Sequence, residues 1–451
     1  MGTLPGPLVS DGLAKPVCLV IGAGPAGLAA AWSLEQHGVS TIVLESADRV
    51  GGRTETLWLN GARLNTGAAF FTSFYPETLR LCRTLGVELA PPPIHPTRTG
   101  TLRAMRTARG TVPYAPGTLS GLWRFPFVPP SEKIRLVAGV TRLALGRPLH
   151  IADPQTLVDD DGESAAEWAC RTLGDGAYHY FVRAAVEPFF YSEAEEVSAA
   201  VAKALLRHAV HWRLLTPRDG MSRFCEALAS RLTCRLACSA KSIVWKSRRL
   251  CVRHAEGETD ADAVVVAIPA PQALRLAPVT EEDEKDLEAI RYQPSVLAFL
   301  GYDAPLNLTP PSVANGGPGR HRLVGVTALG RGGMSGFIPP PNDVLAVLAM
   351  GWRSRELLDD GDDAALDALT QDARALVPAL PAAAWTRVCA RRYATVVSAP
   401  GLMRRVVAFA RRERRGVHFA GDWLSGASTV EGAVRSGYAA ARSVIRDLST
   451  R

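Results

Sequence analysis

A glycine-rich segment near the start of the chain has the residue types that bind the phosphates of a nucleotide. The sequence GAGPAG, residues 22–27, follows directly on the apolar run Val17–Ile21, which has the length and composition of a strand. In such a turn the first glycine permits the tight bend, the second lets a pyrophosphate approach the backbone, and the third lets the following helix pack closely. The free N–H groups at the helix N-terminus favour the phosphates. We therefore expect phosphate contacts from Gly22, Gly24, Pro25, Ala26 and Gly27.

Glu45 ends a second predicted strand, residues 40–45, and lies eighteen residues after Gly27. A carboxylate at this position accepts hydrogen bonds from both hydroxyls of an adenosine ribose, and its charge repels a 2′-phosphate. The strand, the helix and the terminal acid together predict a dinucleotide site and argue against NADP. A glycine-rich turn without a ligand is the alternative, which the acid disfavours.

The composition is that of a globular protein with a large core. Of the 451 residues, 47% are hydrophobic and 21% are charged. These values exclude a disordered chain, a fibrous repeat and a coiled coil. Eight Cys are too few for a disulfide scaffold in a chain of this length. The spacing of Cys234 and Cys238 indicates packing residues rather than metal ligands, and we expect no metal.

The net charge of +7 comes from arginine and indicates a solvated surface rather than a nucleic-acid site. One basic cluster contains Arg98, Arg103, Arg106 and Arg109, and a second lies within residues 404–415. The first has no aromatic residue interleaved for base stacking, the second has Phe409 alone, and no nucleic-acid module is evident. Attraction to an anionic membrane is the alternative for such clusters.

The sequence shows no targeting or membrane-spanning segment. The first sixteen residues lack a basic start followed by an apolar core, which disfavours a signal peptide. The longest apolar run, residues 17–31, contains three glycines and a proline and is too short to span a bilayer. We therefore expect a cytoplasmic protein, with peripheral membrane contact left open.

The segment after Glu45 carries a family signature. Residues 48–54 are DRVGGRT, which resembles the GGR(T/S) signature of the flavin amine oxidase superfamily. That group includes amine oxidases, protoporphyrinogen oxidases and carotenoid-type desaturases, and the resemblance implies FAD as the cofactor. Gly51 and Gly52 would let the chain pass close to the cofactor, and Arg53 would supply a fixed cation near its phosphates.

Further motifs extend the resemblance over essentially the whole chain. Residues 64–71, LNTGAAFF, look like the family's loop beside the isoalloxazine ring, and residues 187–199 look like its helical substrate region in the protoporphyrinogen oxidase and desaturase branch. Residues 416–422 and 428–433 look like the segments that hold the ribityl chain and the flavin N1/O2 edge, and Ala240 matches a position whose backbone faces adenine. Besides the turn and Glu45, the cofactor residues that the resemblance implies are Ser46, Gly52, Arg53, Thr54, Gly67, Ala68, Ala69, Ala240, Gly421, Asp422, Thr429 and Val430.

The resemblance also implies the fold. We expect an α/β part, a Rossmann-type FAD-binding domain, interleaved with an α+β substrate domain of mixed sheet and helices. The FAD domain is expected at residues 13–72, 214–277 and 390–451, and the substrate-binding domain at residues 73–213 and 278–389. Within the latter, residues 131–145 have helical spacing, residues 344–352 read as a strand, and residues 307–322 are the best candidate for a loop.

The departures from the family concern the substrate pocket. Amine oxidases of this family typically carry a lysine near flavin N5 and two aromatic side chains beside the amine. The matching positions hold Leu297, Ala394 and Thr429. The resemblance places Phe70 on the flavin-side loop and Trp352 over the substrate, with an ordinary core position as the alternative for both. The predicted pocket residues are Phe70, Leu297, Trp352 and Thr429.

The missing lysine and aromatic pair disfavour an amine oxidase. We expect an FAD-dependent oxidoreductase that transfers a hydride from a hydrophobic small molecule to flavin N5, forming C=C or C=N, with O2 or a quinone as electron acceptor. Because Tyr393 occupies the position used for covalent flavin attachment in some members, non-covalent FAD is expected. An amine or amino-acid oxidase, a non-redox flavin-dependent isomerase and a flavin-binding protein without turnover are the alternatives.

Overall fold

The computed structural model describes residues 15–90, 103–115, 118–209, 213–247, 249–330 and 337–450. Short 3-10 turns occur at Gly52–Thr54, Pro154–Thr156, Val158–Asp160 and Asp422–Ser425, and a π-helical turn at Tyr178–Val182. The α-helices are α1 (Pro25–Glu35), α2 (Pro76–Leu85), α3 (Leu119–Arg124), α4 (Pro130–Leu145), α5 (Ala165–Thr172), α6 (Asp175–Ala177), α7 (Arg183–Phe190), α8 (Ala199–Arg207), α9 (Ser222–Ala229), α10 (Ala270–Leu276), α11 (Glu281–Glu288), α12 (Gly351–Leu357), α13 (Asp362–Leu376), α14 (Leu402–Arg411) and α15 (Val430–Ser449).

The strands of the described residues form two large sheets and three small ones. They are β1 (Val17–Ile21), β2 (Ser40–Leu44), β3 (Thr56–Leu59), β4 (Ala62–Asn65), β5 (Phe71–Thr72), β6 (Leu89–Ala90), β7 (Arg103–Thr107), β8 (Gly110–Pro113), β9 (Leu214–Pro217), β10 (Cys234–Arg235), β11 (Ala240–Lys246), β12 (Arg249–His254), β13 (Gly257–Ala261), β14 (Ala263–Val266), β15 (Tyr292–Tyr302), β16 (Ser312–Asn315), β17 (Leu323–Ala328), β18 (Asp343–Ala349), β19 (Trp385–Val396) and β20 (Val417–Phe419).

A five-stranded parallel sheet has the order β10-β2-β1-β14-β20. Its central strands are almost continuous apolar runs because helices or another sheet cover both faces. Alternate side chains point to opposite faces of a strand. Val20 and Val265 therefore pack with α1 and α15, whereas Leu19 and Val264 pack with the small antiparallel sheet β11-β12-β13.

The helices α1 and α15 cross closely on the five-stranded sheet. A β-carbon at Gly437 would lie 2.3 Å from the carbonyl oxygen of Ala26, so this crossing requires glycine. Helix α1 begins at Pro25, a residue suited to the first helical position because the N–H that it lacks has no partner there. The glycine-rich turn thus lies at the carboxyl end of β1, the edge at which α/β sheets bind ligands.

A seven-stranded sheet has the order β19-β15-β18-β17-β16-β7-β8. Neighbouring strands are antiparallel except β16 and β7, which are parallel. Helix α13 covers one face, where Val296 and Ala298 of β15 pack in the same cluster as Leu369. Leu297 and Phe299 point to the opposite face, as the two-residue period of a strand requires.

The helices between β8 and β9 form a layer of their own. The helix α6, the π-helical turn and α7 are continuous along the chain, and Pro188 lies within α7. Ser164 and Glu167 form a capping box at the start of α5, which satisfies backbone N–H groups that have no partner in the helix. The apolar faces of these helices share one core cluster with α1.

The expected fold class, a parallel sheet interleaved with a mixed sheet and helices, is confirmed. The helix predicted at residues 131–145 is α4. The strand predicted at residues 344–352 is wrong at its end, because β18 stops at Ala349 and α12 begins at Gly351. The predicted loop at residues 307–322 contains β16. In the described part of the chain, no helix is both long and apolar enough to cross a bilayer.

Candidate cofactor and substrate site

One continuous cavity of about 1990 Å³ is lined by the segments that follow strands of the five-stranded sheet and by strands of the seven-stranded sheet. We call the part formed by the glycine-rich turn, the end of β2, the GGRT segment and the start of α15 the cofactor half. The part formed by the seven-stranded sheet with α3, α4 and α7 is the substrate half. The predicted site residues that line the cavity are Gly22, Gly24, Pro25, Ala26, Glu45, Ser46, Gly52, Arg53, Thr54, Gly67, Ala68, Ala69, Phe70, Leu297, Gly421, Asp422, Thr429 and Val430.

The three glycines of the turn have three different surroundings. Gly22 has a φ of +103°, and a β-carbon there would lie 2.8 Å from the carbonyl oxygen of Ala267. A β-carbon at Gly27 would lie 1.9 Å from the carbonyl oxygen of Gly22, so α1 packs against the turn only with glycine at this position. At Gly24 no atom lies within 4 Å of the place that a β-carbon would take. This open space at a helix N-terminus fits a pyrophosphate.

Glu45 is held in place by backbone N–H groups. Its Oε2 accepts a hydrogen bond from the N–H of Ala23 at 2.7 Å, and its Oε1 accepts one from the N–H of Ala47 at 2.9 Å. Oε1 also accepts a hydrogen bond from the hydroxyl of Ser46 at 3.2 Å, whereas Oε2 has a further lone pair. Because Glu45 also lines the cavity, this free lone pair fits a ribose hydroxyl of a dinucleotide.

Arg53 and Asp422 form the charge pair of the cofactor half. Nη2 of Arg53 lies 2.6 Å from Oδ1 of Asp422, and Nη1 donates to the carbonyl oxygen of Ala394 at 3.0 Å. Burial by itself would lower the pKa of Arg53, but the charge of Asp422 and the phenol of Tyr292 raise that pKa overall. Arg53 is therefore a permanent cation that lines the cavity, as an FAD pyrophosphate requires.

The start of α15 completes the cofactor half. Oγ1 of Thr429 accepts a hydrogen bond from the N–H of Gly432 at 2.9 Å and so caps the helix. Glu431 is fully buried and accepts hydrogen bonds from the N–H and the hydroxyl of Thr78, both at 2.8 Å, at the start of α2. Val430 lines the cavity, so the positive end of the helix dipole lies beside it.

The loop with Gly67, Ala68 and Ala69 lines the cavity. Glycine is required at position 67 by contact with the protein backbone, not only by the expected contact with the cofactor. A β-carbon at Gly67 would lie 2.1 Å from the carbonyl oxygen of Arg53, and the N–H of Ala68 donates to the same oxygen at 2.9 Å. Gly67 therefore permits the loop to approach the GGRT segment. The small side chains at positions 68 and 69 leave room in the cavity.

Two predicted cofactor residues, Gly27 and Ala240, do not line the cavity. Gly27 packs α1 against the turn instead, and Ala240 begins β11 opposite His254. Nearby, Sγ of Cys238 lies 3.3 Å from Nδ1 of His254, whose Nε2 lies 2.9 Å from the hydroxyl of Thr259. With Glu256, these two residues place potential metal ligands within 4.8 Å of one another. Hydrogen bonds within the protein already account for the two buried members.

The substrate half is apolar next to the cofactor half. Phe70 and Phe189 make an edge-to-face contact with ring centroids 5.5 Å apart. Leu297 and Phe299 of β15 line the cavity on the side of the sheet. Tyr393, at the position of covalent attachment in some family members, lines it as well. The described residues here offer a slot between aromatic rings and aliphatic side chains.

Trp352 does not belong to the cavity, and its prediction is corrected. The side chain lies on α12, its indole N–H donates to the carbonyl oxygen of His321 at 2.9 Å, and the guanidinium of Arg320 lies 4.2 Å from the ring centroid. The predicted strand ended too late, and the helix that follows Ala349 carries the ring away from the sheet face.

Among the described residues, six arginines that were not predicted as site residues also line the cavity: Arg49, Arg63, Arg103, Arg124, Arg213 and Arg391. Arg391 of β19 forms an ion pair with Glu55 and donates to the hydroxyl of Thr66 at 2.8 Å. Arg103, expected on a solvated surface, also lines the cavity, while Arg98 of the same cluster lies outside the described residues. The two-residue period of β7 and β19 predicts which residues share a strand face with Arg103 or Arg391. It does not predict which face adjoins a cavity.

The family model described as flavin-containing amine oxidoreductase matches residues 25–445. The chain belongs to this family. Members of this family are FAD-dependent oxidoreductases that act on small molecules. The match spans the seven-stranded sheet and all of the five-stranded sheet except β1.

Relatives and solved structures agree with this family. The flavin-containing monoamine oxidase AofH of Mycobacterium tuberculosis is 27% identical over 267 residues, which is 56% of each protein, so the match spans about half of that relative. A protein of Exiguobacterium sp. 255-15 assigned as a protoporphyrinogen oxidase shares the fold with a TM-score of 0.76 and 16% identity, over 97% of this chain and all of the other. A fatty acid isomerase from P. acnes that produces CLA also shares the fold. Its TM-score is 0.71 and its identity 18%, over 94% of this chain and 98% of the other.

Proposed function

We propose that this protein uses FAD to oxidise a hydrophobic small molecule, forming a C=C or C=N bond. The cavity carries the proposal, because its cofactor half is lined by the motif residues and its substrate half by aromatic and aliphatic side chains. FAD, when bound, supplies the hydride acceptor, flavin N5. The chain contributes binding, orientation of the substrate and exclusion of water.

The cofactor residues in this proposal are the predicted residues of the cofactor half, with Glu45 for the ribose and Arg53 for the pyrophosphate. The proposed FAD domain, residues 13–72, 214–277 and 390–451, supplies the five-stranded sheet, and residues 73–213 and 278–389 supply most of the substrate half. Non-covalent binding is part of the proposal. The nearest cysteine in sequence to Tyr393 is Cys389, and burial raises the pKa of its thiol, which makes it a poor nucleophile.

The substrate side favours a C–H bond of an apolar molecule over an amine. The positions that carry the lysine and the aromatic pair in amine oxidases of the family hold Leu297, Ala394 and Thr429, and all three line the cavity. Ser295, Leu297 and Phe299, which face the cavity from β15, include no titratable group. An apolar substrate buries its surface here without leaving a polar group unpaired.

Two alternatives have an observation in their favour. The family and the relative AofH favour an amine or amino-acid oxidase, and Tyr393 supplies an aromatic ring in the cavity. The shared fold with the fatty acid isomerase and the apolar substrate half favour a non-redox isomerisation. The acceptor, O2 or a quinone, is a separate question for the oxidoreductase.

Anaerobic mixing of the FAD-loaded protein with two panels of compounds separates these functions. The proposal expects loss of the oxidised-flavin absorption with apolar C–H donors, and a product lighter by two hydrogens. Reoxidation by O2 or by a soluble quinone then identifies the acceptor.

The other outcomes are equally distinct. Bleaching by amines with release of ammonia identifies an amine oxidase, and a product of unchanged mass identifies an isomerase. A protein that stays yellow with every compound of both panels contradicts the proposal.

A further inference from the structure

Arg103 is a cation inside the substrate half. It begins β7 and lines the cavity together with Tyr114, which follows β8. Its two neighbours in the basic cluster have other surroundings. Arg106 donates to the hydroxyl of Thr111 at 3.2 Å, and the guanidinium of Arg109 lies 5.9 Å from the ring centroid of Phe127. Of these three arginines, Arg103 is the one that lines the cavity.

Arg103 has no anionic partner among the described residues. Its Nε is buried without a hydrogen-bond partner, and burial lowers the pKa of the guanidinium while the phenol of Tyr114 opposes that change. The buried Arg183 of α7 differs, because it donates to Glu187 at 2.6 Å and to the carbonyl oxygen of Gly317 at 3.0 Å. The segment before Arg103, residues 91–102, contains no Asp or Glu in its sequence. A guanidinium whose Nε–H is buried without a partner favours a ligand that supplies an acceptor.

The strand register places Arg103 at one end of a row that crosses the sheet. Phe299 of β15 pairs with Ala346 of β18, which pairs with Thr327 of β17, which pairs with Ser312 of β16, which pairs with Arg103. All five of these residues line the cavity. Four inter-strand spacings separate the two ends, or roughly 19 Å between the strand axes.

The row forms a floor for a long apolar molecule. Between its ends it carries one methyl side chain and two hydroxyls, and the hydroxyls of Ser312 and Thr327 lie 3.1 Å apart and so bond to each other. The next row of the same face adds Leu297, Leu348, Gly325 and Ala314, which also line the cavity.

We infer that Arg103 binds a carboxylate of the substrate, and that an apolar body of the molecule spans the sheet from Arg103 to the cofactor half at Leu297 and Phe299. The substrate class is then a long hydrophobic carboxylic acid. This inference rests on the proposed function, whose oxidised bond would lie at the end of the molecule far from the acid.

A carboxylate fits Arg103 better than a phosphate does. The planar guanidinium matches a carboxylate with two parallel hydrogen bonds, and one cation balances one monoanion. A phosphate ester carries more negative charge than a carboxylate. The buried Arg183 of α7 does not supply a second cation for it, because Glu187 already neutralises Arg183.

The probes are oleic acid, oleyl alcohol and octanoic acid, titrated into the FAD-loaded protein below their aggregation concentrations. Binding is read from the visible spectrum of the oxidised flavin, so that turnover is not required. We expect the acid to bind more tightly than the alcohol. Arg103→Met should raise the Kd of oleic acid by about 10–100-fold and leave that of the alcohol within about 2-fold, because one charge-assisted contact is lost. Arg103→Lys should give an intermediate Kd, and Arg106→Met is the matched control and should change neither value.

Other results overturn the inference. Equal Kd values for oleic acid in the Arg103→Met and Arg106→Met proteins would show that the acid does not use Arg103. A spectral change with octanoic acid equal to that with oleic acid would contradict the span across the sheet. Alcohol binding and flavin content show that each variant is folded. Failure of the flavin to be reduced by any compound would instead contradict the proposed function, since these titrations use oxidised flavin alone.

Discussion

The two halves of the cavity are stabilised by different physics. The cofactor half uses charges and backbone groups in fixed pairs, such as Arg53 with Asp422 and Glu45 with the N–H of Ala23. The substrate half uses aromatic contacts such as Phe70 with Phe189, and one of its cations, Arg103, has no anionic partner among the described residues. The charges of the cofactor half are thus paired within the chain, whereas Arg103 leaves a polar contact to the ligand.

The titratable groups show the same difference. In the cofactor half the pKa of Arg53 is raised by its anionic partner. In the helical layer beside the substrate half, burial lowers the pKa of His150, His179 and His208, and that of His150 falls to about 4. The paired charges of the cofactor half and the neutral histidines beside the substrate half should therefore respond differently to mutation and to acid.

The largest expected effect is that of Gly27→Ala in the cofactor half. The new β-carbon would lie 1.9 Å from the carbonyl oxygen of Gly22, so α1 must shift away from the turn. We expect the free energy of unfolding of the apoprotein to fall by about 3 kcal/mol, measured by urea unfolding. The matched variant is Gly24→Ala, whose β-carbon meets no protein atom within 4 Å. It should leave the apoprotein stable and weaken FAD binding about tenfold, and equal stability losses in both variants would contradict these separate roles.

A smaller effect is expected from Asp422→Asn. The change leaves the charge of Arg53 without its partner in a largely buried place. Removing one member of such a pair should lower the free energy of unfolding by about 2 kcal/mol, measured by thermal unfolding of the holoprotein, and should also promote loss of flavin. Asp359→Asn is the control, because its pair with Arg392 is exposed and should matter by less than about 0.5 kcal/mol. Equal effects of the two variants would show that burial does not distinguish these ion pairs.

The smallest effect concerns acid and the layer beside the substrate half. Because the pKa of His150 is about 4 in the folded protein and higher when unfolded, neutral His150 stabilises the fold above an unfolded pKa of about 6.5. This contribution is lost as the pH falls from there through the folded value. Replacing His150 by Gln should reduce the loss of stability between pH 7 and pH 5 by about 1 kcal/mol, measured by urea unfolding at both values. His37→Gln is the control, and an unchanged pH dependence for His150→Gln would contradict the suppressed charge.

The sequence predicts the cofactor half far better than the substrate half. Gly22 and Glu45 are predictable because the geometry of a dinucleotide dictates both residue type and spacing, whereas Asp422 follows from the resemblance to the family. The pairing of Arg53 with Asp422 is not readable, since 369 residues separate the partners. Ala240 shows the limit of matching a motif position without its structural surroundings.

In the substrate half, burial is the dominant requirement, and many residue types meet it. Trp352 was assigned to a strand because its segment is apolar, whereas the chain turns into α12 at Gly351. Arg103 was grouped with surface arginines because charge usually marks a solvated face, and its sheet face becomes evident only through the pairing with Ser312. Sequence patterns give the two faces of a strand but not what lies against each face.

The crossing of α1 and α15 has a consequence for how the protein is made. The phosphate-binding turn and α1 come early in translation, but β20 and α15, which cover the sheet and complete the cofactor half, come late. While a ribosome is still adding the residues between them, Val20, Val265 and the face of α1 around Ala26 have no cover. We therefore expect complete FAD binding only after α15 has emerged, with exposed apolar surface on the chain until then.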